Sequence, residues 1–247
     1  MARSLAIGVI SDIHGNSLAL DAVLARIEEL GADKIFCLGD LSMAGYDPNY
    51  TVEKVRNLPN VTIIQGNTDK LIVHYSAVVF SAVQAAANAM AHALRDDVKI
   101  MKKENIEFLR ELPEKLEVVE EGVKICLCHG SPRRQDENLF PDTPLNVVAQ
   151  AVASTDADLI FCGHTHLPCG FQLESGQTVV NVGSVGRPMQ DNKTPVFAFL
   201  TICNDNGNKT FEIRHEFVPY DNEAAAKKVM ERGFPYAQDL ADMLRKK

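Results

Sequence analysis

The chain has 247 residues, 46% of them hydrophobic and 23% charged, with a formal net charge of −8 at pH 7. That length allows one large domain with a substantial core, and the composition is that of a soluble globular enzyme. The acidic total argues against a surface that wraps nucleic acid, which needs clustered Lys and Arg, but leaves room for a small anionic substrate met by a local cationic site. No apolar run approaches the ~20 residues needed to cross a bilayer. Met1-Ala2-Arg3-Ser4 leads straight into Leu5–Ile10 without the small-residue cleavage site of a signal peptide, so a cytoplasmic location is expected.

In chain order, Leu5–Ile10 is predicted as a buried strand. Ser17–Leu30 carries apolar residues at 18, 20, 23, 24, 27 and 30 and predicts an amphipathic helix closed by Gly31. Lys34–Leu38 predicts a second strand, Thr51–Asn57 a short helix and Val61–Gln65 a third strand. Such repetition implies parallel pairing with right-handed crossovers. From Lys70 to Arg110 the pattern changes to a helical insertion. Its alanine-rich stretch Ala82–Ala93 places Gln84, Asn88 and His92 on one face. A packed helix, a cap over the site and a contact with a second copy all remain open for it.

Strands return at Leu116–Val119 and Val123–Leu127, joined by a Glu120-Glu121-Gly122 turn. A helix over Leu145–Ser154 and a buried strand at Leu159–Cys162 follow. From Gly170 to Val218 strands alternate with turns at Glu174-Ser175-Gly176 and Asn204–Asn208, and the tail from Asn222 to Lys247 reads as helical. A parallel half followed by an antiparallel half suggests two sheets packed face to face in a single domain spanning residues 1–247. The six cysteines form no paired CxxC motif, so reduced, buried thiols are expected and a structural zinc site is not.

Five polar clusters each follow an apolar, strand-like run: Asp12-Ile13-His14-Gly15-Asn16, Gly39-Asp40, Gly66-Asn67-Thr68-Asp69, Cys128-His129-Gly130 and Gly163-His164-Thr165-His166. In α/β sheets the carboxyl ends of strands converge, so five separated clusters can meet in one place. Asp12 and His14 stand two apart at a strand end, where both can chelate one ion. His164 and His166 share that spacing. Asp40, using both carboxylate oxygens, can bridge two metals roughly 3.5–4 Å apart. The set Asp12, His14, Asp40, Asn67, His129, His164 and His166 mixes nitrogen and oxygen donors without a thiolate. That favours manganese, then iron, zinc or nickel, in an open catalytic site. Taken singly, each cluster has a plainer reading as a helix cap, a turn or a loop. Their order, and four of the seven histidines falling inside them, argue for chemistry.

In this order the motifs resemble the calcineurin-like metallophosphoesterase superfamily, from about Leu5 to Phe199. His129-Gly130-Ser131-Pro132-Arg133 and Asn181-Val182-Gly183-Ser184-Val185-Gly186-Arg187-Pro188 bring the likeness closest to its short bacterial and archaeal phosphodiesterase branch. The resemblance implies an α/β fold in four layers, two mixed sheets flanked by helices. It also implies Asp12, His14 and His166 on one divalent ion, Asn67, His129 and His164 on a second, and Asp40 bridging. Asp40, Asn67 and His129 thus lie at the catalytic centre.

Where many members of the superfamily carry a histidine after the motif asparagine, this chain has Thr68. Monoester hydrolysis with a poor leaving group should suffer most, since a general acid contributes about 10²–10⁴-fold. His74 is a weaker substitute. Gly39-Asp40-Leu41-Ser42-Met43 departs from the Asp-Arg-Gly continuation of the Ser/Thr protein phosphatases and lowers that reading.

The expected activity is hydrolysis of a phosphodiester or phosphoanhydride bond in a small phosphorylated substrate by a metal-activated hydroxide. A dinucleoside-polyphosphate hydrolase, a phosphomonoesterase and a non-catalytic scaffold are the rivals. Asn16, Arg133 and Arg187 are candidate substrate contacts, and Asp69 is expected to orient a metal-ligating group from behind. The oligomeric state stays open.

Overall fold

The structure is a computed structural model and describes residues 3–205 and 208–245. Strands β1 (Arg3–Ile10), β2 (Lys34–Cys37), β3 (Val61–Ile63), β4 (Lys115–Glu120), β5 (Val123–Cys128), β6 (Leu159–Cys162), β7 (Cys169–Gln172), β8 (Thr178–Asn181), β9 (Val196–Asp205) and β10 (Asn208–Phe217) form two five-stranded sheets. One has the order β10-β9-β1-β2-β3 and the other β4-β5-β6-β8-β7.

Both sheets are mixed. In the first, β1, β2 and β3 run parallel, while β9 pairs antiparallel with β1 and with β10. In the second, β5, β6 and β8 run parallel between the antiparallel edges β4 and β7. The division expected from the sequence, a parallel half against an antiparallel half, is therefore corrected. The long β9–β10 hairpin returns to β1, because Ile7 and Val9 need Leu200 and Ala198 beside them to close the inner face. The tip of that hairpin, residues 206–207, lies outside the described residues, as do residues 246–247 of the helical tail.

Strand alternation assigns each face. Ile7, Val9, Phe36 and Leu38 of the first sheet meet Ile125, Leu127, Leu159 and Phe161 of the second in a core between the sheets. The outer face of the first sheet (Ile10, Cys37, Phe197, Phe199) is covered by α1 (Ser17–Glu29), α2 (Pro48–Arg56), α5 (Asn88–Ile100), α8 (Asn222–Glu231) and α9 (Ala237–Leu244). The outer face of the second (Cys126, Cys128, Ile160, Cys162) packs under α7 (Leu145–Val152). The result is the four-layer arrangement that the resemblance implied.

The segment between β3 and β4 holds α3 (Asn67–Val73), α4 (Ala77–Ala86), α5 and α6 (Lys103–Glu111). The alanine-rich stretch is not one helix. It breaks at Ala87, whose backbone is extended at φ −154° and ψ 95°. Helix α5 buries Ala91, Ala93, Leu94 and Asp97, whereas α4 buries none of its residues. Among the described residues no helix is long and apolar enough to cross a membrane.

Candidate metal centre

The five clusters meet at the carboxyl ends of β1, β2, β3, β5 and β6. Asp12 Oδ1 lies 3.6 Å from His14 Nε2, 3.2 Å from His166 Nε2 and 3.7 Å from His129 Nε2. Asp40 Oδ2 lies 3.4 Å from His129 Nε2 and 3.8 Å from His14 Nε2. His14 and His166 approach each other Nε2 to Nε2 at 3.0 Å, and His164 Nδ1 stands 2.9 Å from Asn67 Oδ1. All seven predicted ligands are thus drawn into one cluster. Two groups of donors within it can each hold an ion, Asp12–His14–His166 and Asp12–Asp40–His129.

The surrounding backbone fixes which atoms face inward. His14 Nδ1 donates to the Met43 carbonyl, His129 Nδ1 to Leu38 O at 2.7 Å, and His166 Nδ1 to Arg187 O at 2.7 Å. Each bond makes Nδ1 the donor to main chain and turns Nε2 toward the carboxylates. Asp12 Oδ2 accepts from His164 N at 2.9 Å, and Asp40 Oδ1 accepts from Thr68 N at 2.8 Å. Asp40 thus turns Oδ2 toward His129 and His14, while Oδ1 anchors the Thr68 main chain.

Electrostatics and strain concentrate here. Burial raises the Asp12 carboxyl, but His166 and His129 outweigh it and hold the group well below the usual carboxylate range. The same contest at Asp40, with His129 and His14 against burial, ends at about 2. Burial disfavours the His129 imidazolium, yet Asp40 and Asp12 push it up to about 10. His14 and His164 are lowered, chiefly by burial. Five of the donors also adopt left-handed backbone: Asp12 (φ 56°), His14 (48°), Asp40 (55°), His164 (67°) and His166 (60°). Such conformations persist only where the surroundings over-determine them, and they gather at functional sites.

The donor set fits a divalent cation. Asp12 Oδ1 and His129 Nε2 are buried without a hydrogen-bond partner among the described residues, although each faces the other cluster members. Nε2 of His14, Nε2 of His166 and Oδ1 of Asp12 gather at a common place, an arrangement that a cation makes favourable.

The remaining candidates divide. Arg187 is 9% exposed, with its guanidinium on Ala44 O at 3.3 Å and Met90 Sδ at 3.5 Å, and it lies within electrostatic reach of Asp12 and Asp40. Arg133 points elsewhere. Its guanidinium grips Glu137, with Nε to Oε2 at 2.9 Å, and reaches Gln150 O at 3.3 Å. Asn16 is the N-cap of α1: Oδ1 accepts from Ala19 N and from the Tyr46 hydroxyl, while Nδ2 donates to Gly186 O and the Tyr220 hydroxyl. Buried and fully bonded, it has no group left for substrate, and that expectation is corrected. Asp69 holds main chain rather than a ligating side chain: its carboxylate accepts from Asp40 N at 2.8 Å, Leu41 N at 2.9 Å and Gly66 N at 3.0 Å.

Two supports carried no expected role. Asn181 Nδ2 holds Gly163 O at 2.6 Å, and Ser184 Oγ holds Asp12 O at 2.8 Å. Both sit in the stretch Asn181–Pro188, which was the available signal. A groove of about 580 Å³ between α1 and α2, lined by Leu24, Lys34, Tyr50 and Asn60, opens at the opposite ends of the same strands and contains none of these groups.

A family profile described as the calcineurin-like phosphoesterase superfamily domain matches residues 5–205. An uncharacterized protein of Methanocaldococcus jannaschii is 33% identical over 252 residues, covering 95% of this chain and 96% of its own. A hypothetical protein of Pyrococcus horikoshii superposes with a TM-score of 0.85 at 22% identity, over 98% of each chain. A metallophosphoesterase from Sphaerobacter thermophilus superposes at 0.76 with 24% identity, again over 98% of each. At those identities the two crystal structures speak for the fold alone.

Proposed function

The chain belongs to the calcineurin-like phosphoesterase superfamily, and from that premise we propose that it is a two-metal phosphodiesterase acting on small phosphodiester or phosphoanhydride substrates. The observation that carries the reading is the pair of buried, unpartnered atoms, Asp12 Oδ1 and His129 Nε2, where the ligand atoms of Asp12, His14, Asp40, His129 and His166 converge. Asp12, His14 and His166 would hold one ion, Asn67, His129 and His164 the other, with an Asp40 oxygen between them. The thiolate-free donor set favours manganese, with iron, zinc or nickel as alternatives. Bound there, two divalent cations supply Lewis acidity to the phosphoryl oxygens and a nucleophile from water at neutral pH.

The chain's own groups do the rest. Carbonyls of Leu38, Met43 and Arg187 keep three imidazoles in the ligating tautomer. Asp69 fixes the Asp40 main chain. Arg187, largely buried and within electrostatic reach of Asp12 and Asp40, offers a guanidinium suited to phosphoryl oxygens. The Thr68 hydroxyl, buried and without a hydrogen-bond partner among the described residues, cannot surrender a proton at neutral pH. Leaving groups that depart without protonation, in diesters and anhydrides, suit such a site best. Cys37, Cys126, Cys128 and Cys162 are buried free thiols, which agrees with work in the reducing cytoplasm.

The test is hydrolysis by metal-stripped protein reloaded separately with manganese, iron, zinc or magnesium. Substrates are bis-p-nitrophenyl phosphate, p-nitrophenyl phosphate and a dinucleoside tetraphosphate. Metal-dependent turnover favouring the diester or the dinucleotide supports the reading. A preference for the monoester removes the role given to Thr68. No turnover with any metal, despite bound ions, favours a non-catalytic scaffold.

A further inference from the structure

Three consecutive carbonyls on the loop after β2 hold three separate groups. Met43 O accepts from His14 Nδ1, Ala44 O from Arg187 Nη2 at 3.3 Å, and Gly45 O from Arg232 Nη1 at 2.5 Å. The loop has no slack against the centre. A Cβ at Gly45 would fall 2.0 Å from His14 O, and Asp47 N donates to Gly15 O at 2.9 Å.

Arg232 closes α8, far from the ligand motifs in sequence, and its side chain is 9% exposed. Besides Gly45 it engages two neighbouring carboxylates of α5: Asp97 Oδ1 at 2.5 Å from Nη1, and Asp96 at Nη2. Asp97 is fully buried, and its Oδ2 has no hydrogen-bond partner among the described residues. Arg187 is the other guanidinium in electrostatic reach of Asp97, and no described carboxylate lies within ion-pairing distance of it. Two buried guanidiniums therefore share a three-residue strap, and one of them holds the buried carboxylate. Only one of them can be the partner of Asp97 if the other is to serve phosphate.

We propose that Arg232 is a positioning residue: by occupying Asp97 and pinning the Met43–Gly45 strap, it keeps the Arg187 guanidinium free and aimed at the phosphoryl group. The proposal rests on the reading of the site as a phosphoryl centre. Without Arg232, Asp97 is a buried carboxylate without its ion-pair partner, and Arg187, held on the same strap, is the other guanidinium that acts on it, so pairing there draws the clamp off the substrate. Arg232 reaches the reaction only through Arg187.

The probe is inorganic phosphate, titrated into the manganese-loaded full chain, alongside kcat and KM for bis-p-nitrophenyl phosphate and the manganese content. Arg232→Met should raise the phosphate Kd about tenfold and lower kcat/KM to match, with manganese content unchanged, as Arg187→Met does. The double variant Arg232→Met/Arg187→Met should lose no more than Arg187→Met alone. Arg232→Met/Asp97→Asn should recover most of the phosphate affinity, whereas Asp97→Asn in the Arg187→Met background should recover none. Should Arg232→Met fail to fold, Arg232→Gln keeps a donor for Gly45 O without the charge and should show the same loss. An unchanged phosphate Kd in the folded variant, additive losses in the double variant, or absence of rescue by Asp97→Asn overturns the proposal. Phosphate binding reads the relay even if the wild-type protein hydrolyses nothing. Diester turnover that ignores Arg232 removes the relay and leaves the phosphodiesterase reading standing. Failure of the wild-type protein to bind phosphate overturns both.

Discussion

Metal loading should displace a proton from His129, and the metal-free protein should lose stability where that proton is lost. In the absence of metal, burial works against the imidazolium, but Asp40 Oδ2 at 3.4 Å and Asp12 Oδ1 at 3.7 Å hold it up to about 10, against 6.5 ordinarily. At pH 8 the ring is therefore charged, and a cation taking Nε2 must expel its proton. A native pKa above the unfolded value contributes stability that is fully present below pH 6.5 and lost as pH rises through about 10. The displacement corresponds to about 5 kcal/mol at most. Calorimetric titration of manganese into metal-free protein at pH 8, in buffers of different ionisation enthalpy, should show about one more proton released by the wild type than by His129→Gln. Urea denaturation of the metal-free protein should show a falling midpoint from pH 7 to pH 10, and the variant should be flatter over that window. Equal proton release by both proteins, or a metal-free wild type as stable at pH 10 as at pH 7, would refute the charge assignment.

Three further outcomes follow from single contacts. A Cβ at position 163 would lie 2.2 Å from Ser11 Oγ and 2.5 Å from Asp12 Oδ2. Gly163→Ala should therefore displace a ligand and weaken metal binding by about 10–100-fold, as loss of an outer support does, read by competition with a chelating dye. Asp69→Ala leaves the backbone N–H groups of Asp40, Leu41 and Gly66 without their acceptor and should cost about 3 kcal/mol in urea denaturation, with metal content falling in parallel. Thr68→His places a titratable donor where the hydroxyl has no partner. It should raise monoester turnover relative to diester by about 10²-fold, the low end of a general acid's contribution. An unchanged ratio would remove the link between Thr68 and substrate choice.

What could be read from the residues beforehand was what short-range chemistry controls. Each of the five clusters ends an apolar run, and strand ends on one edge of packed sheets have nowhere to go but together. Asn16 was legible in another way: an Asn directly before the Ser17 helix is a cap by position, and its hydrogen bonds leave nothing for a ligand. Glu137, four residues after Arg133, was likewise the nearer partner for that guanidinium. The pairing of β9 with β1 was not legible, because alternation says which residues face a core but not which sheet supplies it. The other unreadable feature was the sign of φ at the ligands. Asp12, His14, Asp40, His164 and His166 all turn left-handed, at about 1 kcal/mol or more each. His14 and His166 in addition aim lone pairs at one another across 3.0 Å. A polypeptide gains nothing for its own folding from either arrangement. Both become favourable together when a cation occupies the point they share, so left-handed backbone at five candidate ligands and buried, unpartnered atoms at Asp12 and His129 mark the centre more sharply than the motifs that first located it.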